Sequence, residues 1–206
     1  MPATSHPTRE RLIATMVTLL DGEDPEHITA EQVLTRSHIS KGSLYHHFAD
    51  FEELLEAALI RRFSINVDLS VEALLNIVAS ATSREEFLAH LSALTADQQS
   101  PSRSRFRLER ARAAGLTFSS QRFRDALGIE QQRLTDAFTD VIIEAQNRGW
   151  VSLSVDARAA AVFIQAFTLG RVVDDISPEK VDPEEWDKLI MSVVGNYLVM
   201  QPTAAP

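Results

Sequence analysis

The chain has 206 residues, of which 45% are hydrophobic, and a formal net charge of -9. This length and apolarity suffice to bury a sizeable core in one domain or two small ones, which excludes a disordered protein. The absence of cysteine excludes disulfides, zinc-thiolate sites, iron-sulfur clusters and cysteine nucleophiles, and the acidic balance means that any contact with nucleic acid must be local.

Targeting and membrane signals are missing from the sequence. The first residues, MPATSHPTRER, lack the apolar segment of a signal peptide, and no window approaches the roughly 20 consecutive apolar residues of a membrane span. Because a chain without cysteine also suits a reducing compartment, we expect a cytoplasmic protein with no membrane partner.

Helix signals recur along the chain, whereas the sustained alternation typical of strands does not. The sequence therefore predicts an all-α protein of about nine helices, with three short ones followed by a larger bundle. The first helix is expected from about Thr8 to the residue before Gly22. Capping-box spacings mark later helix starts, and Gly115 and Gly149 are suitable stops. The helices after the third are expected over about 50–80, 83–97, 102–114, 120–148, 156–175 and 183–199.

Residues 29–48, TAEQVLTRSHISKGSLYHHF, have the pattern of a helix-turn-helix. A capped short helix is followed by a turn and by a second helix that begins after Ser40. Unpaired amides and a positive dipole end at such a helix start can bind phosphate, and polar side chains beside them can reach base edges in a major groove. The residues at this outer helix start are Lys41, Gly42, Ser43, Tyr45 and His46.

The segment SKGSLYHHF, from Ser40 to Phe48, closely resembles the signature of the tetracycline-repressor-like (TetR) family of transcriptional regulators. The resemblance implies a DNA-binding domain over residues 1–49 and a helical domain over 50–206 that binds an effector and dimerises, with a long helix from about residue 50 linking them. It also implies a homodimer on a palindromic operator, and repression released by a small molecule. The DNA contacts that it implies are Thr29, Lys41, Gly42, Ser43, Tyr45 and His46.

Two positions depart from this family pattern. His38 stands where the family commonly has a turn glycine, and Phe51 stands where it often has a phosphate-binding lysine. Residues 1–62 also contain six Lys or Arg against ten Asp or Glu, a balance of -4. These features keep an alternative open, in which the protein is a helical interaction module of the same fold that has lost specific DNA binding.

A basic stretch and scattered apolar residues in the second half are candidates for an effector site. The run RSRFRLERARAA, residues 103–114, has five arginines and a single acid, so an arginine there could hold an anion, although solvated or ion-paired arginines are the alternative. Ligand pockets are mainly apolar, but core packing would use the same residues. The candidates are Phe106, Arg107, Arg110, Phe123, Phe138, Ile142, Phe163 and Phe167.

The last two predicted long helices have broad apolar faces. In the TetR family these helices pair with their symmetry mates in a four-helix bundle, and burial within one chain is the alternative. The candidate dimer contacts are Gly170, Val173, Leu189, Val193 and Tyr197.

Enzyme and cofactor motifs are missing. The sequence has no GxxxxGK[ST], GxGxxG or GxSxG segment, and His38, His46 and His47 have no further ligand at metal-binding spacing. The sequence therefore predicts a protein that is not an enzyme and that has neither a cofactor nor a metal.

Overall fold

A computed structural model of the chain describes residues 6–198, with the side chains described as far as Val194. Within this range the chain forms ten α-helices and two short 3-10 turns, at Pro25–His27 and Pro101–Arg103, and no strand. The all-α prediction is confirmed. The helices are α1 (Pro7–Leu20), α2 (Ala30–Ser37), α3 (Lys41–His47), α4 (Phe51–Ser80), α5 (Arg84–Gln99), α6 (Ser104–Leu116), α7 (Gln121–Asn147), α8 (Ala157–Gly170), α9 (Val172–Asp175) and α10 (Pro183–Leu198).

The first hydrophobic core lies between α1, α2, α3 and the first half of α4. Leu12, Met16, Leu44 and Leu54 are fully buried there, and Phe48 closes the cluster. These residues come from α1, from α3 and its end, and from the first half of α4, and the short helices could not bury their apolar faces alone. The core therefore holds α2 and α3 in a fixed relation to α1.

The second core is larger and lies between the second half of α4 and α5, α7, α8 and α10. Leu74 and Phe87 are almost fully buried in it, together with Val141 and Ile142 of α7. Because α4 supplies Leu54 to the first core and Leu74 to the second, one continuous helix joins the two.

Local sequence signals account for the helix starts. Thr29, Asp50 and Ser83 each accept a hydrogen bond from the backbone N–H three residues later, as the capping spacings predict. Two ends differ from the expectation: α6 continues through Gly115 to Leu116, and the helix expected over 156–175 is interrupted after Gly170 into α8 and α9.

Among the described helices, α4 is long and apolar enough by length and composition to cross a membrane, with a mean hydropathy of 1.3 over its most apolar 18 residues. It packs instead along α1 and α7. A core helix of a helical bundle has the same composition, so this feature is weak support for a membrane location.

Candidate nucleic-acid interface and cavity

The outer start of α3 presents its polar groups to solvent. Ser40 accepts a hydrogen bond from the Ser43 backbone N–H at 3.2 Å and so caps the helix. Lys41, Gly42, Tyr45 and His46 are exposed, and Tyr45 keeps 45% of its surface accessible although it is a large aromatic residue. Leu44 and Phe48 on the opposite face are buried. The helix is thus anchored from beneath, and its predicted contact residues share the outer side.

The turn before α3 uses a left-handed backbone conformation. His38 has φ 56° and ψ 34°, which makes it the one non-glycine residue with positive φ in the described part of the chain. A left-handed conformation costs an L-residue roughly 1–2 kcal/mol. His38, which replaces the turn glycine of the family pattern, is therefore left-handed at some cost in stability.

Thr29 lies at the start of α2 within a reciprocal capping box. Its hydroxyl accepts from the Gln32 backbone N–H at 3.3 Å, while the Gln32 side-chain oxygen accepts from the Thr29 N–H at 2.7 Å. Thr29 is exposed, but its hydroxyl oxygen is already engaged by the cap. The predicted phosphate contact of Thr29 therefore has to use the same hydroxyl group that caps α2.

Positive charge near α3 is sparse. Neither Lys41 nor Arg36 forms an ion pair within 4.0 Å in the described residues, so both charges are available to a partner. The Arg9 guanidinium lies 5.1 Å from the centre of the Phe48 ring. Phe51, at the position without the family's lysine, packs against the first core. Position 51 therefore contributes to core packing and supplies no positive charge for DNA.

Three histidines cluster beside the end of α3. The rings of His6 and His47 are 4.7 Å apart, and those of His46 and His47 are 5.1 Å apart. Burial, followed by the nearby charges of His6, His46 and Arg9, lowers the pKa of His47 below its ordinary value. No group of three or more residues with metal-ligating side chains is arranged to hold an ion in the described range.

A cavity of about 90 Å³ lies where α4 and α6 meet the end of α1 and the turn that follows it. Phe63 and Leu59 of α4 line it together with Phe106 and Arg110 of α6. Of the eight predicted effector residues, the structure brings Phe106 and Arg110 together here. Sequence reasoning missed the α4 side of the wall, because nothing in the pattern of Leu59 and Phe63 distinguishes them from core residues.

Arg107 and Arg110 lie in different surroundings although they are one helical turn apart. Arg107 is 2% exposed, and its Nε and Nη2 donate to the two carboxylate oxygens of Asp175, each at 2.7 Å. Its Nη1 donates to the carbonyl oxygens of Gln98 and Ser100. The guanidinium of Arg107 thus ties α6 to α5 and α9, which is a structural use of the charge.

The other predicted effector residues are dispersed. Phe123 is buried at the start of α7, and Phe138, Ile142 and Phe167 pack in or against the second core. Phe163 is 45% exposed. These residues do not share one described cavity, and their place in an effector site stays a prediction.

The candidate dimer residues lie on α8, α9 and α10, and three of them are exposed. Val173 is 71% and Leu189 56% exposed, Gly170 is exposed and Val193 is partly buried. The Tyr197 side chain lies outside the described residues. Val162 and Phe163 of α8, and Ile176 directly after α9, add further exposed apolar surface.

The architecture defines a fold. A capped helix-turn-helix packed on a first helix and joined by one long helix to a larger helical bundle is the fold of solved TetR-family transcriptional regulators.

Several solved structures of other proteins are similar to this one over nearly the whole chain. The reduced form of E. coli NemR is 21% identical, with a TM-score of 0.65 over 95% of this chain and 100% of that one. Thermus thermophilus FadR, a TetR-family transcriptional repressor in complex with lauroyl-CoA, is 14% identical, with a TM-score of 0.66 over 96% and 98%. A TetR/AcrR-family transcriptional regulator of Thermobifida fusca is 16% identical, with a TM-score of 0.63 over 93% and 98%. No protein-family model matches the chain, and no curated protein sequence matches it either.

Proposed function

We propose that the protein is a sequence-specific DNA-binding transcriptional regulator of the cytoplasm, a homodimer that represses at a palindromic operator until a small molecule releases it. It is not an enzyme under this proposal. The observation that carries the proposal is the outer face of α3, where Lys41, Tyr45 and His46 are exposed above a buried Leu44. The Thermus and Thermobifida proteins of this fold, a transcriptional repressor and a transcriptional regulator, support it.

The recognition step follows from the geometry of the start of α3. Backbone N–H groups of its first turn and the Lys41 ammonium bind the phosphate backbone, which fixes the register of the helix on DNA. A Cβ atom at Gly42 would have no other atom within 4 Å, so the space above this residue is open and its backbone can come close to the groove wall. Tyr45, His46 and Ser43 then read base edges, and Thr29 contacts a phosphate from the start of α2.

Dimerisation supplies the second recognition helix. The apolar face of α8, α9 and α10 is the surface that we assign to the two-fold contact, since a solvent-exposed patch with Val173 and Leu189 is costly in a monomer. A two-fold dimer reads two half-sites whose centres are about 34–36 Å apart or a multiple of that distance. The operator is therefore palindromic.

Effector control requires a ligand that distinguishes two states of the protein. The lauroyl-CoA complex of the Thermus relative is an example of a ligand on this fold. Here the cavity between α1, α4 and α6 borders both the end of α1, which packs against the DNA-binding helices, and α6 of the larger bundle. A ligand that favours a DNA-incompetent arrangement lowers DNA affinity, and DNA lowers ligand affinity by the same factor.

DNA binding in defined salt tests the proposal. The wild-type protein should bind a palindromic site near its own gene more tightly than unrelated duplexes, by at least the roughly 10³-fold typical of specific binding. Tyr45→Ala should lower this preference by about 1–3 kcal/mol. Lys41→Ala should instead weaken binding to all sequences alike and reduce the salt slope by about one unit.

The two variants separate DNA reading from folding. Neither side chain belongs to a core, so the melting temperature of both should stay close to that of the wild type. Equal and weak affinity of the wild type for every duplex would favour the alternative, a helical interaction module that has lost specific DNA binding. A large fall in melting temperature of Tyr45→Ala would assign that ring a packing role.

A further inference from the structure

We infer that the cavity between α1, α4 and α6 is a site for a small organic carboxylate with an apolar body, and that Arg110 holds its charge. This inference rests on the proposed function, because it names the class of molecule that acts as effector. It depends on three observations: the state of Arg110, the charges around it, and the lining and size of the cavity.

The side chain of Arg110 is partly buried, and no acid pairs with it. Burial alone lowers the pKa of Arg110 from its ordinary value, and no ion pair to Arg110 forms within 4.0 Å in the described residues. One hydrogen bond, from Nη2 to the Gln131 side-chain oxygen, is long at 3.5 Å. The guanidinium also lies 5.5 Å from the centre of the Phe63 ring. Among the described residues, most of its five N–H donors therefore have no acceptor.

The three other arginines around the cavity are already neutralised. Arg62 pairs with Glu109 at 3.1 Å and with Asp21 at 3.7 Å, and Arg105 pairs with Glu109 at 3.2 Å. Arg112 pairs with Glu26 at 3.2 Å. Arg110 is the exception in this wall. A partly buried cation without an acid beside it is incompletely compensated, so this position suits an anion that arrives from outside.

A monoanion fits the surrounding charges better than a phosphate. Three carboxylates also line the cavity: Glu109, Glu23 and Asp24. Glu109 is balanced by its two arginines, and Glu23 accepts a hydrogen bond from Gln32 at 3.0 Å. These acids would repel a phosphate dianion. A carboxylate has half that charge and can accept two parallel hydrogen bonds from one guanidinium.

The lining and the volume define the rest of the ligand. Phe63, Phe106 and Leu59 give the wall an apolar and aromatic character around Arg110. A cavity of about 90 Å³ is smaller than the roughly 300–1,000 Å³ of pockets for drug-sized ligands. A compact carboxylate of the size of benzoate therefore matches the site.

Thermal unfolding with matched probes tests this site. The probes are benzoate, phenylacetate and hexanoate, each beside its uncharged amide, and inorganic phosphate at the same ionic strength. At ten times its Kd, a carboxylate that binds the folded state should raise Tm by about 3–6 °C. The amides and phosphate should raise it by less than about 1 °C. The same carboxylate should release the protein from its operator.

Two variants identify the residue that binds. Arg110→Met keeps a straight side chain of similar length and removes a partly buried charge that has no acid beside it, so its Tm without ligand should equal or exceed that of the wild type. Its response to carboxylate should disappear. Arg103→Met makes the same chemical change at an exposed arginine that pairs with Asp97. That control should respond to carboxylate as the wild type does.

Each outcome decides the inference. No Tm shift with any of the three carboxylates, or an equal shift in Arg110→Met, would overturn it, and so would a stronger response to phosphate. An Arg110→Met protein that loses stability would show that the charge is structural. Specific DNA binding without any carboxylate response would refute this site and leave the proposed regulator intact, whereas a carboxylate response without specific DNA binding would do the reverse.

Discussion

The buried ion pair between Arg107 and Asp175 allows a quantitative prediction for Asp175→Asn. The substitution keeps the shape of the side chain but leaves the Arg107 guanidinium, which is 2% exposed, without its counter-charge. Removing one partner of a buried pair costs about 3–5 kcal/mol. In a domain of about 200 residues this corresponds to a fall in Tm of about 6–20 °C.

A matched exposed pair provides the control. Asp136 pairs with Arg158 at 3.0 Å, and the two side chains are 54% and 52% exposed. An exposed pair contributes about 0–1 kcal/mol, so Asp136→Asn should lower Tm by no more than about 4 °C. Differential scanning calorimetry of the two variants measures the difference. Asp175→Asn melting within 2 °C of Asp136→Asn would refute the assignment of Arg107 to a buried structural pair.

The pH dependence of this pair gives a second readout. Hydrogen bonds from Arg107 hold the pKa of Asp175 below its ordinary value of 3.8. Since the folded state binds fewer protons than the unfolded state, the pair stabilises the protein above about pH 4 and loses this effect as the pH falls further. The difference in Tm between the wild type and Asp175→Asn should therefore shrink below about pH 4.

Two other substitutions test the turn and the dimer face. His38→Gly should raise stability by about 0.5–1 kcal/mol, because glycine adopts the left-handed conformation without steric cost; chemical denaturation measures this, and a loss of stability would assign the ring a compensating contact. Under the proposed function, Val173→Asp should give a folded monomer in light scattering, while Leu75→Asp, at an exposed leucine of α4, should leave the protein dimeric. A dimer in both variants would place the two-fold contact elsewhere.

The elements around α3 were predictable because their signals are local. The Thr29, Asp50 and Ser83 caps each involve residues three positions apart, and each helix begins within one residue of its expected place. The left-handed turn at His38 follows from the resemblance, since the turn geometry is retained without the glycine. Sequence spacing is sufficient where a hydrogen bond joins near neighbours.

The cavity was only partly predictable because its walls come from distant parts of the chain. Arg107 and Arg110 share one basic helix, but the partner of Arg107 is Asp175, 68 residues away. The wall opposite Arg110 comes from Phe63 of α4. The sequence pattern does not indicate which of the two arginines forms an ion pair with an acid, so both were candidates for an anion site. Tertiary packing makes one of them structural.

A contact across the cavity wall explains how a ligand beside Arg110 could act on α3 under the proposed function. Arg62 of α4 donates to the Leu20 carbonyl oxygen at the end of α1, at 2.7 Å, and to Glu109 of α6, at 3.1 Å. Arg112 of α6 pairs with Glu26 in the turn after α1. A ligand that displaces α6 must therefore strain or break contacts to α1, and α1 shares the core that holds α3. The coupling energy can be no larger than the difference in ligand affinity between the two arrangements, so Arg62→Met should lower the effect of carboxylate on DNA binding more than it lowers carboxylate binding itself.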